Sequence, residues 1–295
     1  MSKNAIVISG GGCKGAFAVG ILKYIYQNVA GLEFDIFCGT STGALILPLA
    51  ITNEIGELAD IYGNSFTNDI IKKRDITLAG RDGYLFNAGP LKKLIENSLT
   101  QERFQRIMNS GKEFYISAVC LQSGKITYFT NSDNLMSNLR YDVKKINTRE
   151  ELIDAIRASA HQPVFMEAIK ISGFQYVDGG VRDYLPIMPA IDTGAEKILS
   201  IIHSSENEIH DYSQFKDLLS IAKRSIDLMS TDVGANDYEI AKLRDTNGSV
   251  LEAIRPDAML AKDGLEFIPE EMRRNIDKGY EKAEAYNWDV FSEIV

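Results

Sequence analysis

Residues 39–43 read Gly39-Thr40-Ser41-Thr42-Gly43, and their flanks constrain the fold more than any other feature of the chain. Before them, Asp35-Ile36-Phe37-Cys38 is a short buried run of strand type. After them, residues 44–51 (ALILPLAI) continue as an apolar helix. A strand that becomes a helix within five residues needs a sharp turn at the edge of a sheet. A serine on such a turn is lifted above the sheet edge, the arrangement of a nucleophile elbow. Gly39 and Gly43 let neighbouring chain pass where a Cβ would collide. Ser41 also stands at a helix N-terminus, where free amides and the positive end of the dipole favour developing negative charge. The plain alternative is a serine N-cap between two tight turns. A catalytic serine further needs a base and an oxyanion site.

A second glycine-rich segment, Ser9-Gly10-Gly11-Gly12-Cys13-Lys14-Gly15, follows the apolar strand 5–9 and opens a helix over 15–29. Gly10, Gly12 and Gly15 match G-x-G-x-x-G, so a dinucleotide site is the obvious competitor. That site wants an acidic residue about 20 residues on, at the end of the second strand. Here the second strand ends in Cys38-Gly39, and Glu33 and Asp35 precede it. A P-loop fails on residue order. Consecutive glycines at a helix start bare their amides, and that suits an oxyanion hole. Lys14 adds positive charge there or is simply solvated.

Two kinds of base are available. Asp178 ends the aromatic run 174–177 and precedes Gly179-Gly180, where a carboxylate reaches into a crowded site or merely forms an Asp-Gly turn. The histidines are His161 at a helix end, His203 at the end of strand 197–202, and His210 in a polar acidic loop. Ser41, Asp178 and His203 stand in the chain order of α/β-hydrolase triads, although the serine here follows the second strand rather than a later central one.

Strands and helices alternate early, and hairpins enter at 114–130 and 169–177. Thr148 and Glu151 form a capping box for a helix over 148–158. Helices are expected over 212–244 and 269–286, with a late strand at 250–254. Periodicity fades over 67–87, a surface excursion or a flap over a site. Within it, Tyr84-Leu85-Phe86 either touches a membrane, closes over an acyl chain, or packs. The whole reads as α/β with a mostly parallel sheet and an antiparallel part. One domain over 1–295 is expected, motif-bearing over 5–202 and helical over 203–295.

The net charge of −9 speaks against nucleic acid as a partner. Cys13, Cys38 and Cys120 are widely spaced and read as free thiols of a reducing compartment. The N-terminus lacks the pattern of a signal peptide, and no apolar run is long enough to span a bilayer, so a cytoplasmic location is expected.

Taken together, Gly10 to Gly15, Gly39 to Gly43 and Asp178 to Gly180, in this order, resemble the patatin-like phospholipase family, as does Arg157-Ala158-Ser159-Ala160-His161-Gln162-Pro163-Val164-Phe165. The resemblance implies a three-layer α/β fold with a mostly parallel central sheet, helices on both faces and some antiparallel hairpins. It implies a Ser–Asp dyad, with Ser41 as nucleophile and Asp178 as general base. The oxyanion would be held by backbone amides in Gly10, Gly11, Gly12, Cys13, Lys14 and Gly15. The implied reaction is hydrolysis of fatty acyl esters of phospholipids, lysophospholipids or acylglycerols through an acyl-enzyme, with no metal or organic cofactor. The partner implied is a lipid or acyl-ester substrate; transient contact with a membrane surface is the separate reading of Tyr84-Leu85-Phe86 given above. Transacylase, soluble carboxylesterase and non-catalytic lipid binding are the alternatives. One departure stands out: where the family often has an Asn-x-Pro-type turn after its D-G-G, this chain has Arg182-Asp183-Tyr184-Leu185-Pro186.

Overall fold

The computed structural model describes residues 3–75, 77, 81–205 and 214–291. His210 and Gly80 lie outside the described residues. The strands are β1 (Asn4–Ile8), β2 (Ile36–Thr40), β3 (Lys72–Lys73), β4 (Phe86–Asn87), β5 (Glu113–Cys120), β6 (Ile126–Thr130), β7 (Tyr141–Lys145), β8 (Ile169–Ile171), β9 (Phe174–Asp178), β10 (Lys197–Ile201) and β11 (Val250–Ile254). The helices are α1 (Ala16–Asn28), α2 (Thr42–Ile51), α3 (Ile55–Asn64), α4 (Thr67–Ile70), α5 (Gly89–Ser98), α6 (Gln101–Met108), α7 (Arg149–Ala160), α8 (Met188–Asp192), α9 (Leu218–Arg244) and α10 (Pro269–Glu284).

The main sheet runs β11-β10-β1-β2-β5-β6-β7, with β9 added to β5 and β8 to β9. The pairs from β11 to β5 are parallel, while β6, β8 and β9 contribute the antiparallel part. Both faces are covered. Along β1, Ile6 and Ile8 join the core formed with α1, α2 and α10, whereas Ala5 and Val7 join a second core with α8 and the end of α9. The alternation follows from side chains pointing to opposite faces of a strand. The chain is therefore α/β with a mostly parallel central sheet and helices on both sides.

Helices α1 and α10 cross very closely. A Cβ at Gly20 would lie 1.9 Å from the Ile276 carbonyl oxygen, and one at Gly279 would lie 2.0 Å from that of Phe17. Only glycines permit this approach, which fastens the C-terminal segment to the first helix. That segment is not purely helical, because β11 extends the main sheet beside β10.

The surface excursion at 67–87 contains the short helix α4 and a two-residue antiparallel ribbon, β3 with β4. Arg74 holds its two arms together through an ion pair with Asp82 and by stacking 4.0 Å from the Tyr84 ring centre. Of Tyr84-Leu85-Phe86, the amides of Leu85 and Phe86 both donate to the Phe165 carbonyl, and the Phe86 and Phe165 rings stack at 6.1 Å. This favours the packing reading over a membrane contact. No described helix is long and apolar enough to cross a membrane.

Candidate active site

The site is built by strand pairing. β2 runs parallel to β5 and ends with Thr40 opposite Ser117. β9 runs antiparallel to β5 and ends with Asp178 opposite Ala118. Since β6 occupies the other edge of β5 over Tyr115 to Val119, β2 and β9 share one edge and meet end to end. Ser41 and Asp178 are the residues at that junction.

Ser41 is the N-cap of α2, with φ 56° and ψ −117°. This is a sparsely populated conformation for a residue with a side chain, and such conformations cluster at functional sites. The surrounding chain over-determines it. A Cβ at Gly39 would lie 2.6 Å from the Gly43 carbonyl carbon, and one at Gly43 would lie 2.3 Å from the Ile8 carbonyl oxygen, so both positions must be glycine. The Ser41 amide donates to Ser159 Oγ at 2.9 Å. Ser159 lies on α7, whose start is fixed by the Thr148–Glu151 capping box.

Asp178 is buried, and the Ser41 hydroxyl is near enough to favour its ionised form. Its Oδ1 accepts the Gly180 amide at 2.8 Å. Burial pushes its carboxyl up to about 6, against the smaller lowering effects of the Gly180 amide and the Ser41 hydroxyl. Its own amide donates to the His161 carbonyl at 2.9 Å. Gly179 allows the turn that follows, since a Cβ there would lie 2.6 Å from the Ser117 carbonyl oxygen.

The glycine loop lies beside Ser41. The Gly10 amide donates to the Tyr184 carbonyl at 2.9 Å, that of Cys13 to Gly264 at 2.8 Å, and that of Lys14 to Gly11 at 3.2 Å. These three amides are therefore engaged with backbone carbonyls. Gly15 packs against Thr42 and, like Gly10 and Cys13, does not line the cavity. Gly11 and Gly12 do line it, and their amides have no protein acceptor among the described residues. The expected loop thus narrows to two amides. The Lys14 side chain also borders the cavity.

His203 does not complete a triad. Its Nδ1–H donates to the Gly10 carbonyl at 2.8 Å, and its backbone amide donates to Ser9 Oγ at 3.1 Å. It is buried behind the glycine loop, where a Cβ on Gly11 would lie 3.0 Å from its ring, and it does not line the cavity. Burial lowers its imidazole to about 4, so it is neutral. His161 is likewise buried and lowered to about 4, with its Nδ1–H donating to the Glu167 carbonyl at 2.9 Å. Cys13 is buried and its thiol is pushed up to about 12, an inert state for a thiol.

Ser41, Asp178, Gly11 and Gly12 open onto one cavity of about 160 Å³. Much of its lining is apolar, with Leu45 and Leu49 of α2, Leu91 and Ile95 of α5, Ile156 of α7, and Met166. Lys223, Asp227, Ser230 and Thr231 of α9 also line it. The described residues hold no cluster of His, Cys, Asp or Glu that would bind a metal ion. Ser159 and Tyr184 were not singled out from sequence as site residues. Tyr184 carries the departure noted after Gly180, and its ring wedges between Gly10, Gly180 and Gly234, each within 3.1 Å of it by Cβ position.

Fold and site together define an α/β protein with a strand–serine–helix turn, a glycine loop and a buried aspartate around an apolar cavity. The sequence profile described as patatin-like phospholipase matches residues 6–191. The chain belongs to that family, a family of lipid acyl hydrolases. Among its relatives, the uncharacterized protein YjjU of Escherichia coli K12 is 29% identical over 203 residues, covering 67% of this chain and 51% of that protein. Lysophospholipase NTE1 of Eremothecium gossypii is 26% identical over 197 residues, covering 66% of this chain but 12% of that much longer protein. The match thus spans about half of the first relative and a small part of the second. Among solved structures, the crystal structure of VipD from Legionella pneumophila aligns with 98% of this chain and 66% of that one, at a TM-score of 0.49 and 13% identity.

Proposed function

We propose that this chain is a serine acyl hydrolase that cleaves fatty acyl esters of phospholipids, lysophospholipids or acylglycerols through a Ser41–Asp178 dyad. The observation that carries this reading is the junction of β2 and β9 on β5, which brings Ser41 and the buried Asp178 together on the lining of one largely apolar cavity. The family membership and the lysophospholipase named among its relatives support the substrate class.

The chemistry follows from the geometry. Asp178, ionised above about pH 6, accepts the Ser41 proton as Oγ attacks the ester carbonyl carbon. The tetrahedral oxyanion is met by the Gly11 and Gly12 amides and by the positive end of α2. Collapse expels the alcohol, which takes the proton from Asp178. The acyl chain, now esterified to Ser41, lies against the apolar walls. Water then attacks the acyl-enzyme, giving its proton to Asp178, and the fatty acid leaves as the Ser41 hydroxyl is restored. A carboxylate is a weak base in water. Desolvation at this site brings it closer to the task.

The test is to incubate the protein with a mixed lipid extract and identify the products by mass spectrometry, with Ser41→Ala as control. Release of free fatty acid by the wild type and not by the variant supports the reading. Equal product patterns overturn it.

A further inference from the structure

The N-terminal half of α9 turns much of its apolar surface outward. In an ordinary amphipathic surface helix the apolar side faces the core and the polar side faces water. At about 3.6 residues per turn, Lys223, Asp227, Ser230 and Thr231 fall on one side of α9, and this side faces the cavity. Leu218, Ile221, Leu228 and Met229 fall on the opposite side and are 79%, 49%, 49% and 66% exposed. A row of large apolar side chains held outward beside a site marks an interaction surface rather than scattered exposure.

We propose that this outward stripe of α9 seats on a zwitterionic lipid surface and so brings the cavity close to the lipid. The inference rests on the acyl hydrolase reading and names the phase from which the substrate enters. Two observations select lipid as the occupant. The stripe and the cavity-lining residues belong to the same helical turns, so a lipid layer under the stripe lies one helix away from the cavity. Charge over 214–232 is balanced, Lys216, Lys223 and Arg224 against Asp217, Asp227 and Asp232, although the whole chain carries −9. The local field therefore neither repels nor selects an anionic surface, and contact is driven by burial of apolar area.

The test is flotation of the Ser41→Ala protein with phosphatidylcholine vesicles at low and high salt. Binding is expected that survives salt, because apolar insertion is not screened. Leu228→Asp/Met229→Asp is expected to weaken it by about tenfold or more. In the Ser41-containing protein the same double substitution should leave cleavage of a short water-soluble ester within about twofold, since neither side chain lines the cavity. Circular dichroism checks that the helix persists. Absent binding to phosphatidylcholine, unchanged binding by the double variant, or binding only to anionic vesicles that salt abolishes overturns the proposal. So does a wild-type dimer that the double variant dissociates, because a second copy would then cover the stripe. Vesicle binding that needs Leu228 and Met229, in a protein that cleaves no ester, would leave this surface standing and remove the hydrolase reading instead.

Discussion

Thr40 and Asp178 face consecutive residues of β5, Ser117 and Ala118, although 138 positions separate them in the chain (178 − 40). The candidate dyad exists because two strands run toward each other along one edge of a third and stop. The turn after β2 carries the hydroxyl and the last residue of β9 carries the acid. Neither depends on a flexible loop, so the geometry is set by sheet register.

Rate should rise with pH through a single ionisation near the value of Asp178. The carboxyl is pushed up to about 6 by burial. Its ionised form is the base, so kcat/KM for a soluble ester should fall below about pH 6 and level off above it. A profile with its midpoint at the ordinary carboxylate value, or none at all, would speak against a buried base.

The same burial makes Asp178 a source of instability. Its carboxyl is raised from 3.8 to about 6, so the folded state binds the proton more tightly than the unfolded chain. Stability is therefore lost as pH rises from about 4 through 6 and stays lost above. The shift corresponds to roughly 3 kcal/mol at pH 8. Asp178→Asn keeps an acceptor for the Gly180 amide and removes the charge. It should stabilise the protein by roughly 1–3 kcal/mol at pH 8 and change little at pH 4, as read by urea unfolding at both values.

Ser159→Ala should injure the site from behind. It leaves the Ser41 amide without its 2.9 Å acceptor in a strained turn. The expected cost is about 1–3 kcal/mol of stability, with a fall in kcat larger than any rise in KM. Ser159→Thr retains an acceptor oxygen and should recover part of the rate. Equal losses in both variants would point to packing alone.

His203→Ala separates a dyad from a triad. The ring braces the Gly10 carbonyl and packs on Gly11. Its removal should lower stability by about 1–3 kcal/mol and cut activity modestly, while the midpoint of the pH profile stays where it was. Loss of all but roughly one part in ten thousand of kcat would instead mark a histidine base.

Much of this site was legible in the sequence because each part must be flanked by glycine. Ser41 needs close passage on both sides, a candidate oxyanion loop needs bare amides, and Gly179 sits where Ser117 leaves no room for a Cβ. What was not legible acts through tertiary contact. Ser159 is one small polar residue among alanines near a helix end, and nothing local says that its hydroxyl meets a strand turn 118 positions away. Which glycine amides stay free depends on the carbonyls of Tyr184 and Gly264, which sequence order does not reveal. β7 escaped as well: Tyr-Asp-Val-Lys-Lys is charged and half exposed, as an edge strand can be, and it lacks the apolar run that marks the buried strands. α6 escaped because its buried residues Phe104 and Ile107 are few among charged ones, and its N-cap, Thr100, was the available signal.

The most direct test of the dyad is single-turnover acylation by a chromogenic fatty acyl ester, with mass spectrometry to locate the acyl group. The account predicts acylation of Ser41, slowed by about a thousandfold or more in Asp178→Asn, in line with losing a general base. An acyl group on another residue, or acylation of the Asp178→Asn variant at near the wild-type rate, would contradict it.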